Sequence, residues 1–246
     1  MDWNVFDAVI IRSTWDYQQA PDRFIATLEA IETSSARLFN PLSICKWNLN
    51  KTYLRELEQS GVPIIPSEWP ARLDRAGLDS LFHRLGCPKI VIKPVVGANA
   101  DDTFVVQAGD PTNRELALQT FCSSPSVAQP FVDSICERGE TSLFFFGGEY
   151  SHAVLKTPKT GDFRVQEEHG GQIQPIEPAA EIQQVAKQAL ASIPECLLYA
   201  RIDVVTLADG SPAIIEVELI EPSLYFEFDS ESPVRFAQAL ERMHSV

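Results

Sequence analysis

The sequence is poor in basic residues and has no long apolar run, and each lack excludes a class of protein. Lys and Arg number 20 against 34 Asp and Glu, so the formal net charge is −14. A nucleic-acid-binding protein needs a basic surface to displace counterions, so we expect no nucleic-acid partner. No stretch reaches the roughly 18 uncharged apolar residues of a membrane span, so we expect no membrane partner either.

The five cysteines are odd in number and scattered, and none forms a C-x-x-C motif. No His lies near a Cys at zinc-finger spacing, which argues against structural zinc. We therefore expect buried apolar thiols in a reduced chain rather than a catalytic nucleophile. The first residues, Met1–Asn4, have neither a basic n-region nor an apolar h-region. We expect no secretory signal and a cytoplasmic location.

Helix and strand patterns alternate along the chain without a strict βαβ order. The segment Pro21–Glu32 has the pattern of an amphipathic helix opened by proline. Gly147–Gly148 and Asp209–Gly210 are each flanked by apolar strand patterns, which is typical of tight hairpins. This mixture predicts the α+β class, with lobes built around mixed or antiparallel sheets.

The second hairpin carries an unusual set of charges. If Asp209–Gly210 is a two-residue turn, Ala208 faces Ser211 and cross-strand partners follow from that register. Side chains alternate along a strand with period two, so residues two apart share a face. The register places four charged side chains on one face in two opposed pairs, Asp203 with Glu216 and Arg201 with Glu218.

Three carboxylates on one patch of sheet repel each other unless a cation lies among them. Oxygen-only ligands favour Mg²⁺ or Mn²⁺, so Asp203, Glu216 and Glu218 are candidate metal ligands. The alternative is a solvated outer face on which Arg201 neutralises two of the acids. The strands are otherwise apolar on both sides, which favours the metal site.

A single lysine, Lys93, lies within the apolar run IVIKP. A lysine in a central strand is costly unless its ammonium reaches an anion, and a phosphate is the obvious candidate. The alternative is that the side chain extends to the surface. The following segment, Val96–Asp102, has the small residues of a phosphate-covering turn but only one glycine.

These motifs occur in a fixed order along the chain. They are Lys51 in WNLNKTYL, Lys93 in VIKP, Gln129–Val132 followed by Gly139–Glu140, Arg164 in GDFRV, Arg201-x-Asp203, and Glu216-x-Glu218. The order resembles the ATP-grasp superfamily, and within it the glutathione-synthetase-like branch, to which ribosomal-protein glutamate ligases also belong. The stretches WDY, WNLNK, GDFRVQEEHGG and IEVELIEPSLYF are most similar to the D-cycloserine-biosynthesis ligase group. The resemblance covers nearly the whole chain.

The resemblance implies an ATP-grasp fold, in which two α+β lobes grip ATP. Residues 1–45 would form a partial pre-ATP-grasp lobe, residues 46–128 the N-lobe, and residues 129–246 the C-lobe with the metal site. Related chains have an opening strand and helix before the segment that matches Val5–Tyr17. We therefore expect a shortened leading lobe and a looser carboxylate side of the cleft.

The resemblance also implies a nucleotide site. Lys51 and Lys93 would contact the ATP phosphates, and Glu140 the ribose hydroxyls. Lys156 would belong to the same site, where it and His169 either line the acceptor pocket or lie in a solvated loop. The hinge that offers backbone groups to adenine would be formed by Gln129, Pro130, Phe131 and Val132.

For the chemistry, the resemblance implies that Asp203, Glu216 and Glu218 hold Mg²⁺, or Mn²⁺. Arg164 and Arg201 would be catalytic, facing the transferred phosphate and the oxyanion. Related ligases usually carry Asn where Glu218 stands, and we interpret the acid as a feature of the subgroup.

The function that follows is an ATP- and Mg²⁺-dependent carboxylate–amine ligase acting through an acyl phosphate. Its partners would be a small carboxylate and an amine, with a homo-oligomer possible and a cyclising reaction left open. The alternatives are an ATP-binding module without turnover and a small-molecule kinase. Retention of the acids and cations together favours an active enzyme, and Arg201 beside the metal site favours the ligase.

Overall fold

The computed structural model describes residues 1–245; Val246, the last residue of the predicted C-lobe, lies outside the described residues. The strands are β1 (Ala8–Ile10), β2 (Arg37–Phe39), β3 (Lys89–Pro94), β4 (Phe104–Gln107), β5 (Ser126–Pro130), β6 (Glu140–Phe146), β7 (Glu149–Thr157), β8 (Gln172–Pro175), β9 (Tyr199–Thr206) and β10 (Pro212–Glu218). The helices are α1 (Pro21–Glu32), α2 (Leu42–Asn48), α3 (Tyr53–Gln59), α4 (Arg75–Leu85), α5 (Pro111–Phe121), α6 (Ser134–Arg138), α7 (Ala180–Ala191) and α8 (Ser232–His244).

The N-terminal segment forms a small β–α–β unit in which β1 and β2 pair in parallel. Helix α1 has the predicted bounds and begins at Pro21, whose fixed φ suits the first turn of a helix. Its buried residues Leu28 and Ile31 pack in one cluster with Leu38 of β2 and Ile220. The unit is therefore packed against the beginning of the segment that follows β10.

A three-stranded antiparallel sheet, in the order β4-β3-β5, follows in the chain. Ile90 and Ile92 of the central strand β3 are fully buried in a cluster with Leu78 and Leu81 of α4. Because side chains alternate, Lys93 lies on the opposite face of β3, away from this core. The prediction that Lys93 lies in a central apolar strand is confirmed.

The largest sheet has five antiparallel strands in the order β10-β9-β6-β7-β8. Helices α3 and α7 cover one face, where Leu57 and Ala189 pack against Ile202. Helix α8 covers part of the other face. The combination of antiparallel sheets and packed helices confirms the α+β class. The divisions predicted after residues 45 and 128 would cut α2 and β5.

The hairpin of β9 and β10 differs from the prediction at its turn. The loop has three residues, Ala208–Gly210, because Leu207 and not Ala208 lies opposite Ser211, with Leu207 N–H donating to Ser211 O at 2.8 Å. The predicted two-residue turn is therefore wrong. A β-bulge between Ile214 and Glu216 adds one residue to β10 and restores the predicted register beyond it. The acids consequently pair as predicted, Asp203 with Glu216 and Arg201 with Glu218.

The cysteines only partly follow the expectation of buried thiols. All five are free, and Cys45 is fully buried. Cys122, Cys136 and Cys196 are exposed, so for them the expectation is wrong. No helix within residues 1–245 is long and apolar enough to cross a membrane.

Two buried asparagines fix the ends of the charged hairpin. Asn40 Nδ2 donates to the carbonyls of Tyr199 and Leu219 at 2.8 Å each, and its Oδ1 accepts from Leu198 N–H at 2.8 Å. Asn48 makes a similar pair of bonds, donating to Val217 O at 2.7 Å and accepting from the N–H of Leu219 at 2.9 Å. Both side chains thus satisfy backbone groups that β9 and β10 leave free at their ends.

We expect Asn40→Ala to lower the free energy of unfolding by about 3 kcal/mol, because it leaves buried backbone donors and acceptors without partners. Urea denaturation followed by circular dichroism measures this loss. The exposed Asn4, whose side chain bonds only to exposed neighbours, supplies the control Asn4→Ala. Similar midpoints for both variants would show that Asn40 is not a structural anchor.

Candidate active site

A cleft of about 590 Å³ lies between the three-stranded sheet and the end of the five-stranded sheet that carries the charges. Its walls include all the residues predicted to bind nucleotide or metal or to be catalytic. These are Lys51, Lys93, Gln129, Pro130, Phe131, Val132, Glu140, Lys156, Arg164, Arg201, Asp203, Glu216 and Glu218. The structure therefore brings together side chains that are far apart in the sequence.

One face of the five-stranded sheet changes from charged to apolar along its length. On β6, Glu140 and Ser142 share a face with Phe144 and Phe146 because side chains alternate with period two. The phenylalanine end belongs to the apolar cluster under α8. The other end, where Ser142 lies opposite Asp203 of β9, faces the cleft. The alternation of side chains along one strand therefore places apolar residues in the core and polar residues at the cleft.

The buried acids at this end are paired with cations. Lys156 Nζ contacts the Glu140 carboxylate and lies 3.3 Å from Asp203 Oδ2. Arg201 Nη2 lies 2.9 Å from Asp203 Oδ2 and also contacts the Glu218 carboxylate. Asp203, only 2% exposed, thus has two cationic neighbours. The pairing offsets the large penalty for burying isolated charges.

The protonation of the acids follows from these pairings. Burial opposes ionisation of Asp203, yet Arg201 and Lys156 hold the pKa of its carboxyl well below the usual range. Burial raises the pKa of Glu218 to about 7, with Arg201 acting in the opposite direction. For Glu216, Lys51 and Lys93 outweigh burial, so its pKa is lowered. Asp203 and Glu216 are therefore the ionised members of the set at neutral pH.

The three candidate metal ligands share a face but do not form a preassembled cage. Within residues 1–245, no group of three or more His, Cys, Asp or Glu side chains is placed to hold a metal ion. The alternative of a solvated face does not fit Asp203, which is buried, although Arg201 does contact two of the acids. The donors are nonetheless all carboxylate oxygens, the set that Mg²⁺ accepts.

The two lysines of the predicted phosphate site differ in their surroundings. Lys51 Nζ lies 2.5 Å from Glu216 Oε1 and donates to Gly97 O at 3.1 Å. Lys93 makes no side-chain hydrogen bond or ion pair with any described residue, and burial lowers the pKa of its ammonium. Lys93 is therefore a cation in the cleft whose charge the protein itself leaves without a direct partner.

The loop after β3 reaches its shape without the glycines usual for such a turn. Asn99, Ala100 and Asp102 have φ values of 55°, 57° and 49°, in the left-handed region. Asn and Asp tolerate this region, whereas Ala100 adopts it at a cost of about 1 kcal/mol. Gly97 has ordinary φ, but a Cβ there would lie 2.8 Å from the ring of Pro94.

The predicted hinge offers fewer free backbone groups than its length suggests. Phe131 N–H donates to Lys89 O at 3.0 Å, and Pro130 has no N–H. The Gln129 side chain is also engaged, donating to Ser67 Oγ at 2.9 Å. Val132 N–H, which has no partner among the described residues, is the donor that remains for a ligand.

The loop between β7 and β8 contributes Arg164 to the cleft, held by Asp162 at 2.7 Å. His169 does not line the cleft, so its predicted contribution to an acceptor pocket is not supported. Gly171, two residues further on, has no room for a side chain, since a Cβ there would lie 2.0 Å from Val165 O. Glu168 lines the cleft in place of His169.

Sequence reasoning assigned no role to part of the cleft wall. The unassigned residues near the N-terminal segment and the end of β10 are Trp15, Tyr17, Glu221, Ser223 and Tyr225. They lie within the stretches WDY and IEVELIEPSLYF, which carried the family resemblance. The signal was therefore present, but without the fold nothing connected the two stretches.

Family models match two parts of the chain. The model of the N-terminal domain of D-cycloserine synthetase DcsG matches residues 1–40, and the ATP-grasp domain model matches residues 51–218. The cycloserine biosynthesis protein DcsG of Streptomyces lavendulae is 35% identical over 255 residues, covering 98% of this chain and 84% of that protein.

Solved structures agree with these matches. The crystal structure of D-cycloserine synthetase DcsG superposes with a TM-score of 0.86 at 34% identity, covering 99% of this chain and 86% of that one. A D-alanine–D-alanine ligase from Bacillus anthracis shares the fold alone, with a TM-score of 0.68 at 18% identity, covering 97% and 81%. The ATP-grasp fold predicted from the motif order is therefore confirmed.

The matches extend over both the N-terminal unit and the charged cleft, and the relatives named are ligases or synthetases. The chain belongs to the ATP-grasp family, is related to the ligase of D-cycloserine biosynthesis, and is an ATP-dependent, ADP-forming ligase of C–N bonds.

Proposed function

We propose that this enzyme uses ATP and Mg²⁺ to join a small, amino-acid-like carboxylate to an amine through an acyl phosphate. The observation that carries the proposal is the convergence of cations and acids in one cleft. Lys93, a cation without a protein partner, suits a phosphate, and Val132 N–H suits an adenine nitrogen.

The acids and cations of the cleft support binding of a metal–nucleotide complex rather than of either alone. Asp203, Glu216 and Glu218 would hold the divalent cation, which when bound supplies positive charge to the phosphate oxygens. In the structure, Lys51 and Arg201 contact these acids and neutralise their charge. Both have flexible stems and line the same cleft, so they can transfer to phosphate oxygens as the cation takes their place. The ATP-grasp ligase PsnB has been solved with Mg and ADP.

The chemistry then proceeds in two balanced steps. A carboxylate oxygen attacks the γ-phosphorus and ADP leaves, which gives an acyl phosphate, a mixed anhydride whose phosphate is a good leaving group. The amine nitrogen then attacks the carbonyl carbon, the C–N bond forms, the bond to phosphate breaks, and the nitrogen loses a proton. Arg164 and Arg201 stabilise the transferred phosphoryl group and the oxyanion by placing fixed positive charge beside them.

Lys93→Ala should weaken ATP binding by about tenfold to a hundredfold, since it removes a charge-assisted contact to phosphate. Adenosine, which has no phosphate, should bind the variant as it binds the wild type. Isothermal calorimetry with both ligands measures the difference, and Lys46→Ala, outside the cleft, is the control. Equal losses for the two ligands would remove Lys93 from the phosphate site.

Hydroxylamine should trap the proposed intermediate as a hydroxamate when ATP, Mg²⁺ and a competent carboxylate are present. A panel of amino acids and hydroxy-amino acids supplies the carboxylates, and ADP release is followed in parallel. Boiled enzyme and reactions without ATP are the controls. ADP release that is never accompanied by hydroxamate or amide would indicate a kinase instead.

Glu216→Gln should abolish ATP turnover, because a neutral amide is a poor ligand for a hard cation. Glu218→Asn should reduce turnover less, because its carbonyl oxygen can still coordinate. Steady-state ADP release across a Mg²⁺ titration separates the two, with Glu149→Gln, at the exposed start of β7, as the matched control. Full activity of Glu216→Gln with unchanged Mg²⁺ dependence would refute the metal site.

A further inference from the structure

Glu221 is a buried carboxylate that the proposed chemistry does not use. It is 8% exposed and lines the cleft, three residues beyond Glu218. Neither carboxylate oxygen makes a hydrogen bond or ion pair with any residue in the range 1–245, and neither is sealed from the cleft. Buried carboxylates are almost always paired, so this one has room for a partner that the protein does not supply.

Arg12, a cation on which the Glu221 carboxylate acts, makes its hydrogen bond to another group. Arg12 Nη2 donates to Pro222 O at 2.9 Å, and its guanidinium carbon lies 5.3 Å from the centre of the Tyr199 ring. Burial lowers the pKa of Arg12 and the Glu221 carboxylate acts in the opposite direction, but no ion pair within 4.0 Å joins the two in the described part of the chain. Trp15 Nε1 likewise donates to the backbone carbonyl of Glu221 at 3.1 Å and not to its carboxylate. These contacts hold the backbone around Glu221, and none of them uses its carboxylate.

Glu221 makes no direct contact with the cations that suit phosphate. Lys51 contacts Glu216, whereas Glu221 lies beside the N-terminal segment. Burial and the acids Glu218 and Glu216 raise the pKa of Glu221, and Arg201 and Lys51 offset this only in part. A carboxylate there repels phosphate. The rings of Trp15 and Tyr17 line the same part of the cleft, and aromatic faces attract cations. Charge and surroundings thus both favour a positively charged ligand.

We infer that Glu221 binds the ammonium group of the amino-acid-like carboxylate substrate, an inference that rests on the proposed ligase function. Three residues span at most about 10 Å of backbone, so Glu221 stays close to the reacting centre at Glu218 and Arg201. A zwitterion with its carboxylate beside Arg201 can point its ammonium at Glu221. Burial and the neighbouring acids raise the pKa of Glu221 to about 8, so an ammonium partner stabilises its ionised form.

The test compares amino acids with carboxylates that lack only the amino group. D- and L-serine are paired with 3-hydroxypropionate, and D- and L-alanine with propionate. Calorimetry measures their binding to the full chain in the presence of Mg²⁺ and a non-hydrolysable ATP analogue. In the wild type, we expect an amino acid to bind at least about tenfold more tightly than its amine-free counterpart.

Glu221→Gln, which removes the charge at nearly constant shape, should cancel this preference while leaving binding of the ATP analogue unchanged. Unchanged analogue binding also shows that the variant is folded. Glu221→Asp keeps the charge and should retain part of the preference. Glu227→Gln, an exposed acid in the same segment that does not line the cleft, is the matched control.

In the binding assay, two results would overturn the inference: an undiminished preference in Glu221→Gln, or no preference for any amino acid in the wild type. Neither readout depends on turnover. Absence of hydroxamate in the wild type would count against the ligase mechanism, while the binding preference and its loss would still place an ammonium at Glu221. Hydroxamate formed equally well by wild type and Glu221→Gln, with equal KM for the amino acid, would remove Glu221 alone.

Discussion

Neutralisation of buried carboxylates is the constraint on which the cleft depends. Glu140 and Asp203 are buried and Glu218 is half-buried, and each contacts Lys156, Arg201 or both. Removing either cation would leave an uncompensated buried charge, which typically destabilises a protein by about 3–5 kcal/mol. Within the protein, the charges of these acids and cations balance one another. The cations can exchange their carboxylate partners for a polyanionic ligand, so the cluster is suited to binding one.

The five-stranded sheet holds this network because one of its faces serves two purposes. Along β6, alternate side chains run from Glu140 and Ser142 at the cleft to Phe144 and Phe146 beneath α8. Rigid apolar packing at one end therefore positions charged groups at the other. Asn40 then ties the ends of β9 and β10 to the N-terminal unit, so the position of the acids depends on residues distant in sequence.

Much of the site could be predicted from the sequence because its residues lie on strands, where period-two alternation decides which face each occupies. Lys93 and the acids of the β9–β10 hairpin are examples. The three-residue turn and the bulge at Ile215 could not be predicted, because two one-residue changes leave the same register beyond them. Glu221 was missed for a different reason: its significance depends on Trp15 and Tyr17, which only the fold brings near.

Lys51 connects the acidic face to the loop after β3, since it binds both Glu216 and Gly97 O, and its own N–H donates to Val95 O at 2.7 Å. In the proposed function, a nucleotide that captures this ammonium must first separate it from Glu216, and a divalent cation on Glu216 removes that penalty. The two ligands would thus be thermodynamically linked through one side chain. Because such coupling is reciprocal, the nucleotide must raise the affinity for the cation by the same factor as the cation raises the affinity for the nucleotide.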